Sequence, residues 1–263
     1  MVGGPPNQLV IAVLGLGEAG SEIARDLVTA GAAVRGYDPA VTAPGSVAGT
    51  GSEAEAAHGA DLVLSVNSAK AAVDACRAGL AGVDPGSGAV WADLNTASPG
   101  TKRELALIAA AAGVPFADVA IMAPVPGRGL RVPMLTSGTG AARYADLLRP
   151  LGTDVGVLDG PAGLAATRKL LRSVFYKGMA TSIVEALDAA RAAGEEEWLR
   201  EHIAAELTTV GEDTLGRMVS GTRRHAVRRT AEMQAAADML TELGVPPLMA
   251  EGSREVHRRL ADG

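Results

Sequence analysis

Between Leu9 and Asp38 the chain reads LVIAVLGLGEAGSEIARDLVTAGAAVRGYD, and no other stretch limits the fold as tightly. The apolar run Leu9–Leu14 stops at Gly15. Gly15, Gly17 and Gly20 then stand in G-x-G-x-x-G spacing directly ahead of a helical pattern that places Ile23, Ala24 and Leu27 on one face. The order is strand, tight turn, helix. Gly31 closes the helix, Ala33–Tyr37 supplies a second strand, and Asp38 ends it about twenty residues beyond the glycines. Each residue type has a chemical reason. Glycines let backbone N–H groups approach a pyrophosphate, the helix N-terminus adds partial positive charge, and a carboxylate after the second strand accepts from ribose hydroxyls. Gly15, Leu16, Gly17, Glu18, Ala19, Gly20 and Asp38 are therefore expected to hold a dinucleotide.

The alternation continues to residue 162. An apolar strand over 61–66 carries Val66 and Asn67 at its carboxyl end, where open α/β sheets place ligands, and both are expected to touch the cofactor. Further strands are predicted at 88–93, 115–122, 132–137 and 154–158, with helices between most of them and Ser98 capping the helix that begins at Pro99. Such an order predicts an α/β fold, a Rossmann-type doubly wound and mainly parallel sheet over residues 1–162. From Gly163 the pattern changes. Only Gly178 interrupts the helical period up to Gly194, so one helix of about 30 residues, ~45 Å long, is predicted there. Four more helical segments bounded by glycine or proline make residues 163–263 an all-α domain. Aromatic residues make up only 3% of the chain, so Ala, Val and Leu must fill both cores.

The formal net charge of −6 argues against a nucleic-acid partner, which would favour a basic excess. Cys76 is the only cysteine, so no intrachain disulfide can form, and four scattered histidines show no metal-ligand spacing. The first residues lack a signal-peptide pattern and no apolar run reaches membrane-spanning length, which predicts a cytoplasmic protein without a membrane partner.

Four segments carry a resemblance that spans nearly the whole chain: GLGEAG at 15–20, DLNTASP at 93–99, MAPVPGRG at 122–129 and KLLRS at 169–173. In this order they resemble the β-hydroxyacid dehydrogenase superfamily, which includes 6-phosphogluconate and 3-hydroxyisobutyrate dehydrogenases and imine reductases. The later runs RSVFYKGM and RRHAVRRTAEM are similar to an uncharacterised 6-phosphogluconate-dehydrogenase-like C-terminal domain. The resemblance implies a NAD(P)-dependent oxidoreductase that moves a hydride between a nicotinamide and a small anionic β-hydroxy acid or the corresponding keto acid. Imine reduction and a non-catalytic dinucleotide sensor are the alternatives.

The same resemblance gives Lys169 the role of general acid/base, a task for which lysine suits when neighbouring charge or burial tunes it. It puts Thr96 beside the nicotinamide, and Asn95, Pro126, Gly127 and Arg128 around the substrate. Asn95 replaces the family's serine in the turn, Pro126 a serine and Arg128 a glycine in the loop, and Arg172 and Ser173 two asparagines. Helical periodicity places Arg172, Ser173 and Lys177 on much the same face as Lys169, a cationic face suited to an anionic substrate. NAD is the expected cofactor, with NADP possible, because Asp38 repels a 2′-phosphate and Pro39 and Ala40 supply no arginine to receive one. Apolar positions every four residues from Ala231 to Leu243 predict a homodimer through the helical domain, with Arg223 and Arg224 approaching the partner's Lys169 cleft.

Overall fold

The structure, a computed structural model, describes residues 8–263. In chain order its first part comprises β1 (Val10–Leu14), α1 (Glu18–Thr29), β2 (Ala33–Tyr37), β3 (Ala48–Gly49), α2 (Glu53–Ala57), β4 (Leu62–Ser65), α3 (Ala72–Leu80), β5 (Val90–Asp93), α4 (Pro99–Ala111), β6 (Phe116–Ile121), β7 (Met134–Ser137), α5 (Ala141–Leu148) and β8 (Val155–Val157). The strands form one sheet in the order β3-β2-β1-β4-β5-β6-β7-β8. All neighbours are parallel except β6 and β7, which pair antiparallel from Asp118↔Ser137 to Ile121↔Met134. The exception follows from the connection. Between β6 and β7 the chain has only a 3-10 turn at Gly129–Arg131, and without a crossover helix it cannot return to the sheet's starting edge.

Alternation along the strands separates two cores. Ile11, Val13, Leu62 and Leu64 face one way and pack with Ile23 and Leu27 of α1 and Tyr144 of α5. Ala12, Leu14, Val63 and Trp91 face the other way, with Cys76 of α3 and Leu105 of α4. Trp91 is wholly buried, and a Cβ on Gly79 would stand 2.6 Å from its ring, so the helix above it needs glycine there. Burial pushes the Cys76 thiol up to about 12, which leaves it a core residue rather than a nucleophile. Ser98 caps α4 as its sequence implies, accepting from Thr101 N at 3.1 Å with Pro99 in the first turn. The sequence did not reveal β3, a two-residue strand against β2.

From Leu164 the chain is helical: α6 (Leu164–Ala193), α7 (Glu196–Thr208), α8 (Glu212–Arg224), α9 (Ala226–Glu242) and α10 (Leu248–Asp262). Gly163 and Gly194 bracket the predicted long helix with φ of +100° and +82°, values that favour glycine. Two compact units divide between Arg172 and Ser173, inside α6, whereas the strand pattern ends at residue 162. The difference has a packing reason, since Ala165 and Ala166 in the first turn of α6 are buried in the sheet-containing unit. Helix α8 gives way to α9 at His225, so Arg224 and Arg228 belong to different helices.

Within the second unit the Glu185 carboxylate of α6 accepts from Met249 N and Ala250 N at the start of α10, at 2.7 and 2.9 Å. Arg191 and Arg200 converge on Glu196, and their hydrogen bonds hold its carboxyl down at about 2. No side chain of α7 or α8 is buried within the chain. Among the described residues no helix is long and apolar enough to cross a membrane, and no three His, Cys, Asp or Glu side chains gather as metal ligands.

Candidate cofactor and catalytic site

The strand order reverses about β1, which has β2 on one side and β4 on the other, so a crevice opens outside the carboxyl ends of β1 and β4. The three glycines of the turn do different work there. A Cβ on Gly20 would lie 1.9 Å from Gly15 O, and one on Gly15, where φ is +100°, would lie 2.6 Å from Val66 O. Both glycines are needed for close packing. Gly17 has no heavy atom within 4 Å of its Cβ position and caps α1 without a side-chain hydrogen bond. Space is thus left in front of a helix N-terminus whose first amides have no side-chain acceptor, and a dinucleotide pyrophosphate fits that cradle.

Asp38 joins the cradle to the loop beyond β2. Its Oδ2 accepts from Leu16 N at 2.8 Å, while Oδ1 accepts from Ala40 N and Val41 N at 2.8 and 3.0 Å. The carboxylate lines a cleft of about 450 Å³ with Gly15, Gly17, Tyr37, Glu53, Asn67 and Asp74. The glycine assignments predict opposite outcomes for two alanine variants. Gly17→Ala should fold normally and weaken NADH binding about tenfold, whereas Gly20→Ala should lower the melting temperature because backbone must move. Thermal unfolding paired with NADH titration distinguishes them.

A second cleft, about 410 Å³, lies at the ends of β4, β5 and β6 and is lined by Ala19, Val66, Asn67, Asn95, Thr96 and Lys169, among others. Residues from α1, the β4 and β5 turns and α6 thereby meet in one place. Lys169 is half-buried and also lines a narrower crevice with Asn95, Thr96 and Lys102. Asn95 is buried, and its Nδ2 faces three acceptors: Ser65 Oγ at 3.2 Å, Asn67 Oδ1 at 2.9 Å and Asp93 Oδ1 at 2.5 Å. With the nitrogen so engaged, the amide oxygen is the atom Asn95 has to offer a ligand.

The loop after β6 contributes Ala123 and Val125 to this cleft. It is held by backbone contacts. Gly127 N donates to Glu22 Oε1 at 3.0 Å, Leu130 N donates to Asp26 Oδ2 at 2.8 Å, and Arg172 Nη1 donates to Met122 O at 3.1 Å. Pro126, Gly127 and Arg128 are exposed and are not among the residues that line the clefts described above. Ser173 and Lys177 belong to the second compact unit, the first half-buried and the second exposed.

A buried charge cluster escaped the sequence reading. Lys102 Nζ donates to Asp93 Oδ2 at 2.6 Å and to Asp93 O at 2.7 Å, and it lies 3.3 Å from Asp118 Oδ1, an ion pair without hydrogen-bond geometry. The signal in the sequence is a lysine three residues before Leu105 and seven before Ala109, on the buried face of α4. A lysine in an apolar stripe calls for a buried carboxylate partner.

Residues 10–129 match the family model described as the NAD binding domain of 6-phosphogluconate dehydrogenase, and residues 190–260 match a domain of unknown function, DUF1932. Among solved structures, a conserved hypothetical protein from Sinorhizobium meliloti 1021 is 29% identical, with a TM-score of 0.62, covering 95% of this chain and 88% of its own. A conserved protein of unknown function, reported to have structural similarity with 3-hydroxyacid dehydrogenases, is 26% identical over 97% of each chain, with a TM-score of 0.63. An imine reductase variant from Myxococcus stipitatus, solved with NAD+, has a TM-score of 0.78 at 19% identity, covering 97% of this chain and 94% of its own, a likeness of fold. Comparison with curated proteins finds no match. The N-terminal part of this chain is therefore an NAD-binding domain of the 6-phosphogluconate dehydrogenase type, and the region after it carries a helical domain of the DUF1932 kind.

Proposed function

We propose that the protein is a nicotinamide-dependent oxidoreductase that interconverts a small anionic β-hydroxy acid and its keto acid, with Lys169 as the proton-transfer group. One observation carries the reading: Lys169 lines the same cleft as Asn67, Asn95 and Thr96, at the carboxyl ends of β4 and β5 in an NAD-binding domain. Bound NAD(H) supplies or accepts the hydride. In the oxidation direction the Lys169 amine takes the hydroxyl proton as the carbon–hydrogen bond gives up its electron pair, and in reduction its ammonium returns that proton to the carbonyl oxygen. The amide oxygen of Asn95 accepts from a cofactor or substrate donor other than the reacting hydroxyl, and in the reduction direction the Lys169 ammonium also attracts the substrate anion. Assay of hydroxy acids with NAD+, and of keto acids with and without amines using NADH, tests this by the absorbance of the reduced nicotinamide. Turnover of hydroxy or keto acids supports the reading. Turnover only when an amine is present indicates imine reduction, and binding without any turnover indicates a sensor.

The second unit supports a homodimer. Phe175, Val227 and Leu248 are 66%, 75% and 71% exposed, and Trp198 at 60% borders an apolar groove of about 450 Å³ with Met233, Met239 and Leu243. Apolar area of this extent is ordinarily covered by a symmetric partner. Arg223 and Arg224 are exposed at the end of α8 and remain available to that partner. Light scattering should give twice the chain mass of 26.5 kDa, and a monomer mass at working concentration would refute the dimer.

A further inference from the structure

Lys102 is 1% exposed and lies between Asp93 and Asp118, both at 0%, none of which faces the clefts with enough surface to hold a ligand by itself. What each carboxylate does with its remaining oxygen gives the cluster its meaning. Asp93 Oδ2 takes the lysine, and Asp93 Oδ1 accepts from Asn95 Nδ2 in the turn that also carries Thr96. Asp118 Oδ2 accepts from Gly163 N at 2.9 Å, Ala166 N at 3.1 Å and Ser137 Oγ at 3.3 Å, and Ser137 Oγ in turn accepts from Ala165 N at 3.1 Å. Those three amides begin α6, the helix that bears Lys169. The buried ammonium thus sits midway along a chain of contacts between the Asn95–Thr96 turn and the first turn of the Lys169 helix.

We propose that Lys102 is a positioning residue for the nicotinamide end of the cofactor site, setting the Asn95–Thr96 turn through Asp93 and the start of α6 through Asp118. The proposal rests on the reading of the Lys169 cleft as the place where nicotinamide and substrate meet. Two buried carboxylates on adjacent strands repel each other, and the cation between them offsets that repulsion, so its removal leaves uncompensated buried charge. The chain of contacts also fixes polarity. An ionised Asp93 only accepts, so Asn95 must turn its Nδ2 inward and its Oδ1 outward. Asp93→Asn would remove that constraint: when the oxygen of the introduced amide accepts from Lys102, its nitrogen faces Asn95, whose own amide must then reverse.

The test needs no substrate. NADH and ADP-ribose share the adenosine and pyrophosphate parts, and only NADH reaches the nicotinamide end, so their dissociation constants are measured for the intact protein and for the Lys102→Met and Asp93→Asn variants. Lys102→Met is expected to weaken NADH about tenfold while ADP-ribose changes less than about twofold, because support for the far end of the site is lost and the glycine cradle is untouched. Asp93→Asn, which keeps the cation and leaves a neutral Lys102–Asp118 pair, should show the same selective loss and carries the test if Lys102→Met does not fold. Equal weakening of both ligands, or no change in either, would show a role confined to stability and overturn the proposal. Failure of the oxidoreductase reading appears elsewhere, as absence of turnover by the unaltered protein in the substrate assay.

Discussion

Lys169→Ala is expected to lower turnover about 10²-fold or more while changing the NADH dissociation constant less than about threefold. The two numbers separate because Lys169 does not line the Asp38 cleft beside the Gly15–Gly20 turn, the part of the proposed site that fits adenosine and pyrophosphate. Lys169 lines the cleft at the other end, with Thr96 and Asn95. Removing a group that transfers a proton in the transition state lowers kcat and kcat/KM together, whereas loss of a simple anion-binding charge would raise KM and spare kcat. Steady-state kinetics on any substrate found in the hydroxy-acid and keto-acid assays decides between them. Unchanged turnover in Lys169→Ala would remove the lysine from the chemistry.

NADP(H) is expected to bind about 100-fold more weakly than NAD(H). Asp38, Glu53 and Asp74 all line the 450 Å³ cleft, and none of its lining residues is an arginine or lysine. A ribose 2′-phosphate in that cleft brings close to two negative charges beside three carboxylates, and repulsion of about 1–4 kcal/mol per close pair makes a hundredfold penalty reasonable. Arg35, inside β2, is half-buried and does not line the cleft. The carboxylates differ in their other duties. Asp38 also binds the amides of Leu16, Ala40 and Val41, so its removal should weaken both cofactors, whereas Asp74→Ala should narrow the NAD/NADP difference without loosening NAD. Calorimetric titration of both cofactors measures this, and equal affinities for the unaltered protein would contradict the charge argument.

What was legible in the sequence was what local chemistry determines. The glycine spacing, the apolar run before it and Asp38 after it specified the first β-α-β unit, and Gly163 and Gly194 marked both ends of α6. The meeting of Lys169 with Asn95 and Thr96 was legible through resemblance, and Asn67 through its place at the end of a predicted strand, because only the sheet order brings these residues together. Besides the short β3, two features could not be read. The antiparallel turn of β7 depends on a connection whose 3-10 turn has no strong periodic signal. The hold on the loop after β6 joins Glu22 and Asp26 to amides more than a hundred residues away, and no local pattern in α1 announces such partners. Lys102 was readable in principle, as a cation on a buried helical face, but its two carboxylates come from different strands and required the fold.

Isotope transfer is the direct measure of a hydride crossing within the cleft that Lys169 lines. Reduced cofactor carrying deuterium at the transferable position of its nicotinamide ring is incubated with the protein and keto acids, and the product is analysed by mass spectrometry. One deuterium is expected on the new carbinol carbon, in a product formed at least about 10²-fold more slowly by Lys169→Ala. Tight binding of the labelled cofactor with no deuterium in any keto-acid or imine product would contradict it and leave a dinucleotide-binding protein without redox chemistry.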